Sequence, residues 1–68
     1  MSKFKIGDKV RFNNKLYPPM HNQVCVVKEV INLYQIDYII IPIQASLAIF
    51  IGKYGWRANQ NDLTLEFS

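Results

Sequence analysis

The chain has 68 residues, half of them apolar, and a formal net charge of +3 at pH 7. A chain of this length forms a single domain, residues 1–68, with a thin core. Its only cysteine, Cys25, excludes an intrachain disulfide, and one cysteine with one histidine, His21, is too few ligands for an ordinary zinc site. Stability therefore has to come from a dense apolar core or from association with another chain.

The first predicted strand follows a turn signal at Gly7-Asp8. Polar and apolar residues alternate over residues 9–12, which places Val10 and Phe12 on one face of the strand. A long connection then runs to about residue 23. The pair Pro18-Pro19 stiffens it in part, because proline fixes its own φ and lacks an amide donor.

Two further strands are predicted in the middle of the chain. Residues 24–31 begin with a run that is apolar on both faces, as in a central strand. A tight turn is expected at Asn32-Leu33, because asparagine tolerates left-handed backbone. Residues 34–41 then alternate, with Ile36, Tyr38 and Ile40 on one face.

Residues 43–51 fit two patterns. We favour a strand over residues 47–51, because isoleucine and phenylalanine are strong strand formers. The alternative is a helix, with Pro42 near its first turn and Gly52 near its C-terminal cap.

The last part of the chain predicts a turn at residues 52–55, a short strand at 56–58, a single helical turn at 59–62 and a final strand at 63–67. Leu63, Leu65 and Phe67 share the buried face of this final strand. Trp56 is expected to be largely buried by the apolar strands around it.

Both ends of the chain resemble small SH3-like barrels, including KOW-type and tudor-like modules. The resemblance is carried by the opening Gly7-Asp8-Lys9-Val10-Arg11-Phe12, and by Trp56, the polar turn with Asp62, and Leu63-Thr64-Leu65-Glu66. It covers residues 4–31 and 54–67. It implies an all-β fold, a small SH3-like barrel of about five strands, with an enlarged apolar hairpin or insertion near residues 39–53. Such barrels bind DNA, RNA, peptides and proteins, so the fold does not fix the function.

We expect no enzymatic activity, no cofactor, no metal and no small-molecule substrate. Cys25 lies in an apolar strand, where a thiol is usually an inert small hydrophobe. His21 lies in the proline-containing connection, and the sequence shows no nucleophile with a base and an orienting group. The three glycines form no phosphate-binding loop.

The apolar content of residues 36–51 exceeds what one small interior can hold, because only every second residue of a strand faces inward. We therefore expect a protein partner or self-association into a homo-oligomer. The predicted protein-binding residues are Tyr38, Ile39, Ile41, Ile43, Leu47, Ile49 and Phe50. In the alternative interpretation, residues 43–51 fold back and cover the surplus apolar face within one chain.

A second function is nucleic-acid binding by a basic face, since five of the eight basic residues precede residue 16. A plain solvated surface explains the same charge bias. The residues of the nucleic-acid alternative are Lys9, Arg11, Lys15, Tyr17, Tyr54 and Arg57.

The expected function is therefore a small regulator or inhibitor. The richness in isoleucine, asparagine and lysine, which have AT-rich codons, favours a low-GC bacterium or its phage as the source. The N-terminus shows no signal peptide, and the apolar stretch of residues 36–51 is shorter than the ~20 residues that span a bilayer. We therefore expect a cytoplasmic protein without a membrane partner.

Overall fold

The computed structural model of the protein describes residues 3–66. Its elements are β1 (Lys9–Phe12), β2 (Val24–Asn32), β3 (Ile36–Pro42), α1 (Ala45–Ile51), β4 (Trp56–Asn59), a 3₁₀ helix (Gln60–Asp62) and β5 (Leu63–Leu65). The strands form one antiparallel sheet in the order β4-β3-β2-β1-β5. Within the described residues β4 and β5 do not pair, so the sheet is not closed. The fold is thus mostly β, as predicted, with one short helix.

The central strand, β2, has nine residues and pairs with two neighbours. Its first residues pair with β1, and nearly its whole length pairs with β3. The register with β3 shifts between Val27 and Glu29, so Lys28 is the extra residue of a bulge. A bulge bends its strand and increases the local twist, which lets the sheet curve around its core.

The core lies on the inner face of this curved sheet. Its buried apolar residues are Phe4, Val10, Phe12, Met20, Cys25, Val27, Tyr38, Ile40, Ala58 and Leu63. Tyr38 lies fully buried among them, and its hydroxyl accepts hydrogen bonds from the backbone N–H groups of Lys3 (2.9 Å) and Phe4 (3.1 Å). The Tyr38 ring also meets the Phe4 ring edge to face, 5.3 Å between centroids. These contacts fix the segment before β1 against β3.

The second face of β3 is covered from within the chain. Ile39 and Ile41 are partly buried there, and Gly55 approaches both of them without a side chain of its own. Lys28 reaches across β3 and donates a hydrogen bond to the carbonyl oxygen of Lys53 (2.7 Å). The aliphatic part of such a lysine shields apolar surface while its ammonium stays near water.

The strand predicted for residues 47–51 is wrong, because this segment belongs to α1. Both edges of β3 are already paired, one with β2 and the other with β4, so the following residues have no strand edge beside them. Gly52 ends the helix at φ 87°, and its N–H donates to the carbonyl of Ala48. The connection between β3 and β4 is therefore a short helix and a turn, as in the helical alternative for residues 43–51.

The remaining elements follow the predictions closely. β2 extends one residue further than expected, and β3 begins at Ile36 instead of residue 34, so the turn covers residues 33–35. The short strand after Gly55, the 3₁₀ turn and the beginning of the last strand are confirmed. Of the three residues predicted for the buried face of that strand, Leu63 is buried, Leu65 is 44% exposed, and Phe67 lies outside the described residues.

Candidate functional site

A rigidly held loop, residues 13–23, brings Tyr17 to the start of β4. The N–H of Phe12 donates to the carbonyl of Gln23 (3.0 Å), and the N–H of Asn22 donates to the carbonyl of Phe12 (2.6 Å). Inside the loop, the Tyr17 carbonyl accepts from the N–H groups of Met20 and His21, both at 2.9 Å. The Met20 side chain is buried in the core and anchors the loop. Residues 16–19 are thereby held on the outside.

Three aromatic rings meet where this loop contacts β4. The rings of Tyr17 and Trp56 are 5.3 Å apart and nearly perpendicular, and Phe12 meets Trp56 in the same manner at 6.1 Å. Edge-to-face contacts of this kind are favourable beyond the area that they bury. Trp56 packs against the core with part of its ring accessible, and it forms the wall between two clefts.

The first cleft, here called the apolar groove, lies between the loop and α1 and has a volume of about 300 Å³. Its lining residues are Leu16, Tyr17, Pro18, Pro19, Met20, Leu47, Phe50, Ile51 and Trp56. All of these side chains are uncharged. Leu16 is 81% exposed and Phe50 is 72% exposed, so the groove has large apolar side chains in contact with water.

The second cleft, here called the polar cleft, lies on the other side of Trp56 and has a volume of about 420 Å³. Its lining residues are Phe12, Asn14, Tyr17, Gly55, Trp56, Arg57 and Asp62. The amide of Asn14 donates to the Asp62 carboxylate (3.3 Å). Because the Tyr17 and Trp56 rings contact each other, they leave no gap in which a cation could lie between two ring faces.

The predicted protein-binding residues separate into three groups. Leu47 and Phe50 line the apolar groove. Ile43 and Ile49 are exposed, 53% and 81%, but do not line it.

The other three predicted residues lie on β3. Tyr38 belongs to the core, where its ring is fully buried and its hydroxyl accepts a backbone hydrogen bond, so it offers no surface to a partner. Ile39 and Ile41 lie on the opposite face of the strand, partly buried beside Gly55.

The sequence-based list missed the half of the groove that comes from the loop. The sequence feature that could have indicated it is the uncharged run from Leu16 to Met20. Connections are more often rich in polar residues and glycine. The pairing of this run with Trp56, some 40 residues later, follows only from the fold.

Of the residues of the nucleic-acid alternative, Tyr17 and Arg57 both line the polar cleft. Arg11 lies on β1 and Arg57 on β4, with β2 and β3 between them. Arg11 donates to both carboxylate oxygens of Glu66, the shortest contact being 2.7 Å. Arg57 pairs with the buried Asp37 at 2.9 Å. Both arginine charges are thus matched by carboxylates of the same chain.

Lys9, Lys15 and Tyr54 do not line the polar cleft. Lys9 is exposed on β1 and Lys15 on the loop, while Tyr17 is part of the aromatic contact with Trp56. Tyr54 is 78% exposed in the turn before β4, with the ammonium of Lys53 5.4 Å from its ring centroid.

The groups that could carry chemistry are not brought together. Cys25 is fully buried, and burial raises the pKa of its thiol to about 11, so it stays protonated at neutral pH. Residues 3–66 contain no cluster of three histidine, cysteine, aspartate or glutamate side chains that could hold a metal ion. The same residues include no helix long and apolar enough to cross a membrane.

No protein-family model matches this chain, and no curated protein and no solved structure matches it.

Proposed function

We propose that this chain is a non-enzymatic protein-binding module that binds its partner through the apolar groove. The observation that carries this proposal is the groove itself, an uncharged cleft with an aromatic wall and with Leu16 and Phe50 largely exposed. Apolar side chains that cluster in contact with water mark interaction sites, and tryptophan and tyrosine dominate the binding energy at such sites.

The uncharged lining of the groove restricts which side chains of a partner can enter it. A charged side chain that entered it would lose water without finding a counter-charge, which is unfavourable. The partner segment is therefore apolar or aromatic where it meets Trp56. A module of this kind acts by occupying a surface of its partner, as a small regulator or inhibitor does.

The fold class within this proposal is an SH3-like barrel. β4 and β5 lie at opposite edges of the sheet, yet only three residues of 3₁₀ helix join them. Five flat strands would separate the edges by about 19 Å, whereas three 3₁₀ residues rise only about 6 Å. The sheet therefore has to curl until its edges approach each other. The contact between the rings of Phe12 on β1 and Trp56 on β4, 6.1 Å between centroids, supports this curvature.

Capture experiments with a matched pair of helix variants test the proposal. Phe50→Asp places a charge in the groove, whereas Ile49→Asp places the same charge on the neighbouring, equally exposed part of α1. We expect immobilised wild type and Ile49→Asp to capture the same protein from a bacterial lysate, and Phe50→Asp to lose it. The purified partner should also change the fluorescence of Trp56, which is the only tryptophan.

Two outcomes contradict the proposal. Capture that is equal for all three proteins would place binding outside the groove. Capture that disappears after nuclease treatment would favour the nucleic-acid alternative, and it should then weaken steeply with salt.

A further inference from the structure

The tip of the β2–β3 hairpin exposes two large apolar side chains. Leu33 is 75% exposed and Tyr34 is fully exposed. Hairpin tips are usually built from glycine, asparagine or aspartate, which adopt positive φ readily. Within residues 3–66, positive φ occurs only at Asn22 and at glycines, so the turn does not require special residues at this tip. Leu33 and Tyr34 therefore serve neither the turn nor the core.

The tip and the apolar groove lie at opposite ends of β3. The strand begins next to the tip at Ile36 and ends at Pro42, and α1 starts three residues later. Seven strand residues span roughly 20 Å at about 3.3 Å each. The tip therefore does not fill the groove of its own chain.

We propose that the hairpin tip of one copy, Leu33 with Tyr34, docks into the apolar groove of a second copy. This inference rests on the proposed function of the groove and names its partner. The tip segment Asn32-Leu33-Tyr34-Gln35 and the groove lining are both free of charges, so their contact buries no unpaired ion. The groove, at about 300 Å³, is at the small end of ligand-binding pockets and fits one or two side chains.

The aromatic wall of the groove suits the tyrosine of the tip. Tyr17 and Trp56 already meet edge to face, and the ring of a tyrosine from outside can join them in the same geometry. A tyrosine at the edge of such a contact keeps its hydroxyl in water while its ring is buried.

The contact would join two different surfaces, so it is heterologous. Each copy in a pair keeps one free tip or one free groove, and assembly continues as the concentration rises unless the geometry closes a ring. A tip of two side chains makes a small interface, so the affinity should be weak, with a dissociation constant on the order of 0.1–1 mM.

Sedimentation at increasing protein concentration tests this arrangement, with Trp56 fluorescence as a second readout. Tyr34→Asp removes the tip contact and Phe50→Asp blocks the groove. Asn32→Asp and Ile49→Asp are the matched controls, because each adds the same charge next to the contact without removing a contact residue. All four side chains are exposed, and circular dichroism verifies that each variant is folded.

We expect the average mass of wild type and of both controls to rise steadily with concentration, while Tyr34→Asp and Phe50→Asp remain monomers. An equal mixture of these two variants should form a 1:1 complex and nothing larger, because one variant retains the groove and the other retains the tip.

Three results overturn the inference: a wild type that stays monomeric at millimolar concentration, self-association that Tyr34→Asp leaves unchanged, or a mixture of the two variants that does not associate. If tip docking fails but capture of a foreign protein still depends on Phe50, the proposed function stands without this partner. If neither self-association nor capture of a foreign protein depends on Phe50, both this inference and the proposed function fail.

Discussion

Replacing Gly55 by alanine tests whether the second face of β3 is covered within the chain. A Cβ at this position would lie 2.7 Å from Cγ2 of Ile39, 2.9 Å from Cδ1 of Ile41 and 3.0 Å from the carbonyl oxygen of Ile40. The methyl groups can shift, but the carbonyl oxygen belongs to the backbone of a paired strand. Alanine at Gly55 therefore requires both side chains and backbone to move.

The change in the free energy of unfolding caused by Gly55→Ala has two destabilising contributions and one compensating contribution. Gly55 has φ +80°, and a left-handed backbone costs an L-residue about 1–2 kcal/mol. Overpacking against the two isoleucines adds about 1–3 kcal/mol. The reduced entropy of the unfolded chain returns about 0.4–1 kcal/mol. Gly55→Ala should therefore lower the free energy of unfolding by about 2–4 kcal/mol, a large part of the ~5 kcal/mol of a small domain.

Gly7→Ala is the matched control, because Gly7 has φ +95° but no atom within 4 Å of an added Cβ. Only the left-handed backbone destabilises this variant, so the free energy of unfolding should fall by about 1 kcal/mol. Urea unfolding followed by circular dichroism gives both values. In the background of Ile41→Val, which removes the Cδ1 atom, Gly55→Ala should cost less than in wild type, a non-additivity that marks direct contact.

The reasoning is refuted if Gly55→Ala and Gly7→Ala lower stability equally. The outer face of β3 would then be open at Ile39 and Ile41, and these residues would return as candidates for a partner surface.

Two further predictions concern buried polar groups. Asp37 is 4% exposed and Arg57 is its cationic partner, so Arg57→Ala should cost about 1.5–3 kcal/mol in urea unfolding. Asp37→Asn should cost less, since it leaves no buried charge; the opposite order would contradict a stabilising role of Arg57. The pKa of Cys25 is raised from 9.0 to about 11, so the unfolded chain releases the thiol proton first. Stability should fall from about pH 9 to 11, by at most about 3 kcal/mol, and should fall less in Cys25→Ala; equal slopes in the two proteins would contradict this prediction.

The strands were predictable because their side chains obey a local rule. Val10 and Phe12 alternate with polar residues, and Tyr38 and Ile40 share a face on β3, so period two was visible in the sequence. The polar turn before β5 was equally visible, because Asn59 caps it through its side-chain oxygen, which accepts from the N–H of Asn61 (2.9 Å).

The helix was not predictable in the same way, because residues 43–51 satisfy both periodicities. The choice depends on whether the second edge of β3 is free, and the fold fills that edge with β4 from Asp37 to Ile40. Leu47 and Ile51, one turn apart, then pack against the core, while Ile49 and Phe50 remain outside.

The groove escaped prediction for a related reason. Its loop half has no periodicity, since the position of Tyr17 depends on hydrogen bonds between loop backbone atoms. The sequence indicated an excess of apolar side chains in residues 36–51, whereas large exposed apolar side chains in the fold lie on the loop, α1 and the hairpin tip.

This placement separates binding from stability. Ile39 and Ile41 on β3 are partly buried beside Gly55, whereas Leu16, Tyr34 and Phe50 project from a loop, a turn and a helix. A charge at one of these three exposed positions removes a possible contact without creating a cavity or a buried ion, so its effect on unfolding should be within about 0.5 kcal/mol. Binding variants of this protein therefore remain folded, and a loss of association by Tyr34→Asp or Phe50→Asp reports on the surface and not on the core.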